Sequence, residues 1–230
     1  MSLNKKYQNV VGMLAMIAGI FALLSLVVGL MGVGWDFEVF SDPSALIASG
    51  AAAASFIRWS YWLNMLGNYL FLMPLALLLY RWVGSDGSGF AQLFTAGGLM
   101  YMLLGAAGSA IFAGAWPFLM EQYGTATAAQ QEVLVLDFQV VNTIAGEGLH
   151  GVLQNFVGAV WFLGMGSYLR SKLNGLGIVS MVVGLFLILN TVGNMFNIEA
   201  LSLIGLTANI LVGPIWSICI GVMLMRGRSE

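Results

Sequence analysis

The chain has 230 residues, of which 60% are hydrophobic and 8% charged, with a mean hydropathy of +0.91 and a formal net charge of −2. Soluble domains carry about 25% charged residues, so a water-soluble fold is excluded. A nucleic-acid partner is excluded as well, because it needs clustered Lys and Arg to neutralise phosphates.

What charge remains is sorted by sign. Lys5, Lys6, Arg81, Arg170, Lys172, Arg226 and Arg228 flank one set of apolar-segment ends, while Asp36, Glu38, Asp42, Glu121, Glu132, Asp137 and Glu199 fall at the other. Charges are expelled from hydrocarbon, and cytoplasmic loops retain Lys and Arg. The expected fold class is therefore all-α: a polytopic membrane protein with N- and C-termini in the cytoplasm. A crossing helix needs about 20 mainly apolar residues, and six segments reach that length: about 8–34, 58–82, 90–119, 147–169, 175–197 and 202–225. They are expected to form a single six-helix transmembrane domain over residues 1–230.

The first segment is longer than a signal-peptide core of about 7–15 residues and no clear small-residue cleavage site follows it, so it reads as a span. In the outer loop beyond it, Asp42-Pro43 has the form of an N-cap followed by proline at the first helical position. Residues 44–55 then read as a short helix lying on the membrane or leading straight into the second span. That span opens near Arg58, the one basic residue on the outer side. Arg58 can pair with Asp42 or Glu147, hold an anionic head group, or simply sit in the interface. Pro74 and, on the sixth span, Pro214 are expected to kink their helices. Residues 84–89 (GSDGSG) and 171–174 (SKLN) are short inner turns, which place the helices they join side by side.

The third span carries small residues every four positions, Gly105-Ser109-Ala113 and Ala106-Ala110-Gly114. Such faces let helices approach closely, so this span is expected to be the most buried. In the second outer loop, Thr127-x-x-Gln130 resembles a capping box, and Val133, Leu136 and Val140 recur at helical spacing with Glu132 and Asp137 off that stripe. The expectation is an amphipathic surface helix or a lid over the outer mouth. Trp161 and Trp216, mid-span, read as packing, and Cys219, in an apolar run, reads as a small packing residue that can form no internal disulfide.

Depth follows from a rise of about 1.5 Å per residue, counted from the inner boundary. Asn64 and Asn68 lie about 25 and 20 Å from the inner face, and Gln154 and His150 about 24 and 30 Å. Asn190 and Asn194 lie at about 21 and 27 Å, and Asn209 at about 25 Å. All fall in the outer half, whereas 70–80, 176–187 and 215–225 are almost free of strong hydrogen-bonding side chains. Asn190, Asn194 and Asn197 share a helical face, as do Asn64 and Asn68, and Glu147, His150 and Gln154 form a third stripe. Polar side chains in lipid face one another or water. The expectation is a polar pocket in the outer half above an apolar plug.

Glu147-x-x-His150 sets a carboxylate and an imidazole one turn apart, the spacing of a general acid–base pair, a proton-coupling pair or a metal site. A di-iron bundle needs two such motifs and further carboxylates, and this chain has one histidine. No metal site is therefore expected. An interfacial ion pair, or helix-end residues facing water, is the competing reading of the same two side chains. The asparagine stripes are open to two readings as well, ligand contacts or interhelical glue.

Three stretches carry a likeness to a known group: residues 13–29 (MLAMIAGIFALLSLVVG), 56–83 (FIRWSYWLNMLGNYLFLMPLALLLYRWV) and 162–184 (FLGMGSYLRSKLNGLGIVSMVVG). With the long third loop, they resemble the DUF4386 family of bacterial six-span membrane proteins. The resemblance implies the same fold and a multi-pass protein of the bacterial cytoplasmic (inner) membrane. It brings no activity, cofactor or catalytic residue.

Three functions remain in view. The first is binding or handling of a small or amphipathic ligand, a lipid included, in an outward-facing pocket lined by Asn64, Asn68, Gln154, Asn190, Asn194, Asn209 and Arg58. The second is an intramembrane enzyme with Glu147 and His150 as its acid–base pair. The third is a subunit that packs its glycine faces against a copy of itself or another membrane protein. No cofactor is expected, and no ring of charges or carbonyl filter suggests a selective channel.

Overall fold

A computed structural model describes residues 4–83 and 89–226. Arg228 and all of the 84–89 turn but Gly89 lie outside the described residues. Among the described residues there are helices and turns and no strand. The helices are α1 (Lys5–Gly32), α2 (Phe37–Ser41), α3 (Pro43–Ala48), α4 (Gly50–Asn64), α5 (Met73–Val83), α6 (Gly89–Tyr123), α7 (Ala128–Val141), α8 (Asn155–Lys172), α9 (Asn174–Met195) and α10 (Glu199–Met225). Six continuous helical stretches are long and apolar enough to cross a membrane: Lys5–Gly32, Gly50–Val83, Gly89–Tyr123, Ala128–Ser171, Asn174–Met195 and Glu199–Met225. The chain is an integral, multi-pass membrane protein in contact with lipid.

Local signals set the ends of the short helices. Asp36 accepts from the Glu38 and Val39 N–H groups at 3.0 and 3.1 Å and starts α2. Asp42 accepts from Ser44 N–H at 2.9 Å and starts α3, with Pro43 in the first turn where its missing N–H costs nothing. Gly50, at φ +63°, then turns the chain directly into α4. The helix expected over 44–55 is thus split between α3 and α4, and the second span begins before Arg58.

That span is not a uniform helix. A π-helical turn at Met65–Tyr69 and a 3₁₀ turn at Leu70–Leu72 separate α4 from α5, and Tyr69 leaves helical geometry at φ −131°, ψ −70°. Pro74 offers no N–H to the preceding turn, so the irregularity falls just ahead of it. Pro214 lies inside α10, which is a single helix from Glu199 to Met225.

α7 begins after Thr127, whose N–H donates to Gln130 Oε1 at 2.9 Å. It is not a separate element, since a π-helical run from Asn142 to Gln154 carries it without interruption into α8. Val133, Leu136 and Val140 are exposed, at 57%, 59% and 48%, and fully buried Phe138, stacked on Trp116 at 4.5 Å between ring centroids, anchors the helix to the bundle.

The spans close into a ring. α4 packs on α1 and α6, α8 on α6 and α9, and α10 on α9 and back on α1. Short connections make sequence neighbours into spatial neighbours, and the α1–α10 contact completes the circuit. Glycines permit it. A methyl at Gly12 would meet the Gly221 carbonyl at 2.8 Å, and one at Gly67 would meet the Ala18 carbonyl at the same distance. Leu75, Leu79, Met102, Met165, Val183 and Ile220 are among the buried residues that fill the bundle towards the Arg81 and Arg226 ends. A second apolar cluster, with Leu46, Ile47, Ile57, Met120 and Phe138, lies under α3 and α7.

Over residues 90–119 and 147–169 the third and fourth spans each bury about half of their residues, and two sequence expectations are corrected here. The third buries Gly105, Ser109 and Ala113 but exposes Ala110 and Gly114, so only one of its two small-residue faces is used. Cys219 is exposed on α10 rather than packed inside the bundle.

Candidate functional site: a polar cavity inside the ring

Hydrogen-bonding side chains from all six spans line a cavity of about 460 Å³, within the usual range of ligand sites. Asn64, Asn68, Glu147, His150, Gln154, Asn190, Asn194 and Asn209 all line it. Arg58 does not. It lies half-exposed at the rim and pairs with Glu121 at 3.0 Å, so neither of its two expected partners is used. The cavity reaches Phe37, Phe40, Pro43 and Glu199 at the loop end, opposite the described terminal residues, and is floored by Leu72, Tyr101, Phe162 and Leu187. Trp161 and Trp216 stay in the core below it, 5.9 Å apart and 1% and 2% exposed.

Two hydrogen-bonded groups tie the wall together. On one side Asn68 Nδ2 donates to Asn64 Oδ1 at 2.6 Å, and Asn64 Nδ2 donates to Ser109 Oγ on α6 at 2.9 Å. On the other, Asn190 is a hub. Its Oδ1 accepts from Asn155 Nδ2 at 2.5 Å and Asn194 Nδ2 at 3.1 Å, and its Nδ2 donates to the Ser202 carbonyl at 2.6 Å. This links α8, α9 and α10. Gln154 Nε2 bridges to the Tyr69 hydroxyl at 3.1 Å, joining the fourth span to the second. The asparagines are both glue and lining: they bond to each other and still leave a cavity.

Both π-helical stretches face this space. One carries Asn68 and Tyr69, and the other carries Asn142, Glu147, His150 and Gln154. π-turns are frequent at functional sites, and here the i→i+5 winding also re-sorts the stripe expected from α-helical spacing. Glu147 is exposed and accepts from Asn142 Nδ2, five residues back, at 3.3 Å. The His150 ring turns towards α6, edge-on to Tyr69 with ring centroids 6.0 Å apart and 5.7 Å from Phe112. A methyl group at Gly108 would overlap this imidazole, so the glycine is its socket. No hydrogen bond links Glu147 to His150; the wall holds both but does not pair them. Asn197, placed by spacing on the Asn190 face, lies beyond the end of α9 with φ +52° and is exposed.

Sequence reasoning missed Asn155, Tyr69, Tyr101, Asn142 and Ser202. Asn155 and Tyr69 directly follow Gln154 and Asn68, and both lie at or next to a π-segment, where α-helical face assignment fails. Ser202 contributes through its backbone carbonyl, which leaves no side-chain signal. Three buried polar atoms at the wall have no partner: Trp116 Nε1, His150 Nε2 and Gln154 Oε1. Buried polar groups are nearly always satisfied, and these three are exceptions on the wall.

No curated protein and no solved structure matches the chain. A family model described as a domain of unknown function, DUF4386, matches residues 17–227, and the chain belongs to that family.

Proposed function

We propose that this protein binds a small or amphipathic molecule in the cavity at the centre of its helix ring. In this reading it spans a bacterial inner membrane with both termini in the cytoplasm, and the cavity opens outward. The observation that carries the proposal is the joining of eight polar residues from four spans around one space, with buried Gln154 Oε1 left unpartnered on its wall. Interhelical glue alone requires the hydrogen bonds but no space, and leaves no orphaned acceptor.

The test is retention. Protein extracted directly into lipid discs is analysed by native mass spectrometry for a co-purifying small molecule, beside the Ile210→Trp variant. Ile210 lines the cavity and its side chain makes no hydrogen bond, so the indole fills space without dismantling the wall. The expected result is a bound mass in the parent and its loss in the variant at unchanged thermal stability. The same mass in both would place the molecule elsewhere and remove the proposal.

An acid–base role for Glu147 and His150 has less support, since Asn142 rather than His150 bonds the carboxylate.

A further inference from the structure

The polarity of the hydrogen bonds around the cavity identifies the class of molecule, on the footing that the cavity is a binding site as proposed above. Asn190 Nδ2 donates to the Ser202 carbonyl, and a backbone carbonyl only accepts. That fixes the Asn190 amide and leaves its Oδ1 to face Asn155 and Asn194, both of which meet it with Nδ2. Asn194 is fixed a second time, because its Nδ2 also donates to the Asn190 carbonyl at 2.8 Å. The amide oxygens of Asn155 and Asn194 therefore point away from the hub and accept no hydrogen bond among the described residues. Gln154 is oriented by a hydroxyl, which can donate as well as accept, rather than by a carbonyl. Its Nε2 is given to Tyr69, while Oε1, on a side chain 2% exposed, is buried with no partner.

The protein thus ties up amide nitrogens internally and leaves amide oxygens over. Glu147 and Glu199 add two carboxylates, and no lysine or arginine is among the described residues that line the cavity. An anion entering this space could take the unpartnered Trp116 N–H but would also meet these lone pairs and like charge. A neutral acceptor would find the unpaired oxygens no better satisfied. A donor that carries positive charge satisfies both conditions, since charge-assisted bonds to oxygen are about twice as strong as neutral ones. Among the described residues no three His, Cys, Asp or Glu side chains are grouped to hold a metal ion. The apolar floor of Leu72, Phe162 and Leu187 suits a hydrocarbon body. We infer that the ligand is an amphipathic organic cation bearing a protonated amine, whose N–H groups meet the oxygens of Gln154, Asn155 and Asn194.

Three probes of one chain length decide it: octylammonium, 1-octanol and octanoate, titrated calorimetrically into protein in phosphatidylcholine discs, with empty discs subtracted. Octylammonium should bind about tenfold or more tighter than octanol, and octanoate should not bind. The double variant Glu147→Gln/Glu199→Gln, at two exposed positions, should weaken octylammonium about tenfold and leave octanol unchanged. Gln154→Leu should weaken octylammonium as well; should that variant not fold, the double variant decides. Octanol equal to octylammonium, or measurable octanoate binding, overturns the cation and leaves the cavity as a binding site. No binding of any probe, with no mass retained by the parent protein, overturns both.

Discussion

Asn190 holds more of the site together than any other side chain on its wall. It is 4% exposed, takes two donors on one oxygen and gives its own amide to a backbone carbonyl of the next span. Interhelical hydrogen bonds in membranes contribute about 0.6 kcal/mol on average and up to about 1.7. Removing a hub also orphans the groups that faced it, at about 1–3 kcal/mol. Asn190→Leu is therefore expected to cost about 2–3 kcal/mol, read as a lower midpoint in a denaturing-detergent titration. Arg58→Ala is the contrast: its ion pair with Glu121 has both side chains more than 40% exposed. Pairs of that kind contribute about 0.2–1 kcal/mol, so its midpoint should stay near that of the parent. A larger effect of Arg58→Ala than of Asn190→Leu would mean that the rim, not the cavity wall, holds the ring together.

Elements show how far the sequence was legible and where it stopped. All six spans, the caps at Asp42 and Thr127, and the convergence of Asn64, Asn68, Gln154, Asn190, Asn194 and Asn209 follow from hydropathy, capping chemistry and the cost of polar groups in lipid. The winding of each helix does not follow. Face assignments at 142–154 assume 3.6 residues per turn, and the π-run there replaces the expected Glu147–His150 neighbourhood with a Glu147–Asn142 bond. α7 keeps ordinary α-helical winding, with Val133, Leu136 and Val140 exposed and Phe138 carrying the packing on the bundle. A labelling experiment reads the winding directly. In a Cys219→Ala background, Glu147→Cys should react with a polar maleimide and Ala145→Cys, at a position 1% exposed, should be protected. Equal labelling of both would show that the π-wound segment does not hold this face inward.

At the scale of the whole molecule, the ring has two unlike ends. One is filled by apolar side chains beneath the helix ends that carry Arg81, Arg170 and Arg226. The other is hollow, rimmed by α2, α3 and the start of α10, and bears the acids. A packed end and an open end make the protein a cup rather than a pore, so its orientation decides which compartment supplies the ligand. Basic residues near span ends are retained on the cytoplasmic side, and here they mark the packed end. The cup should therefore face outward. Reporter fusions test this at two positions: Leu173, in the turn between α8 and α9, and Thr125, between α6 and α7. A fusion at Leu173 should give cytoplasmic fluorescence and no periplasmic phosphatase activity, and one at Thr125 should give the reverse. The opposite pattern would turn the cup towards the cytoplasm, and the search for its ligand would move to that side.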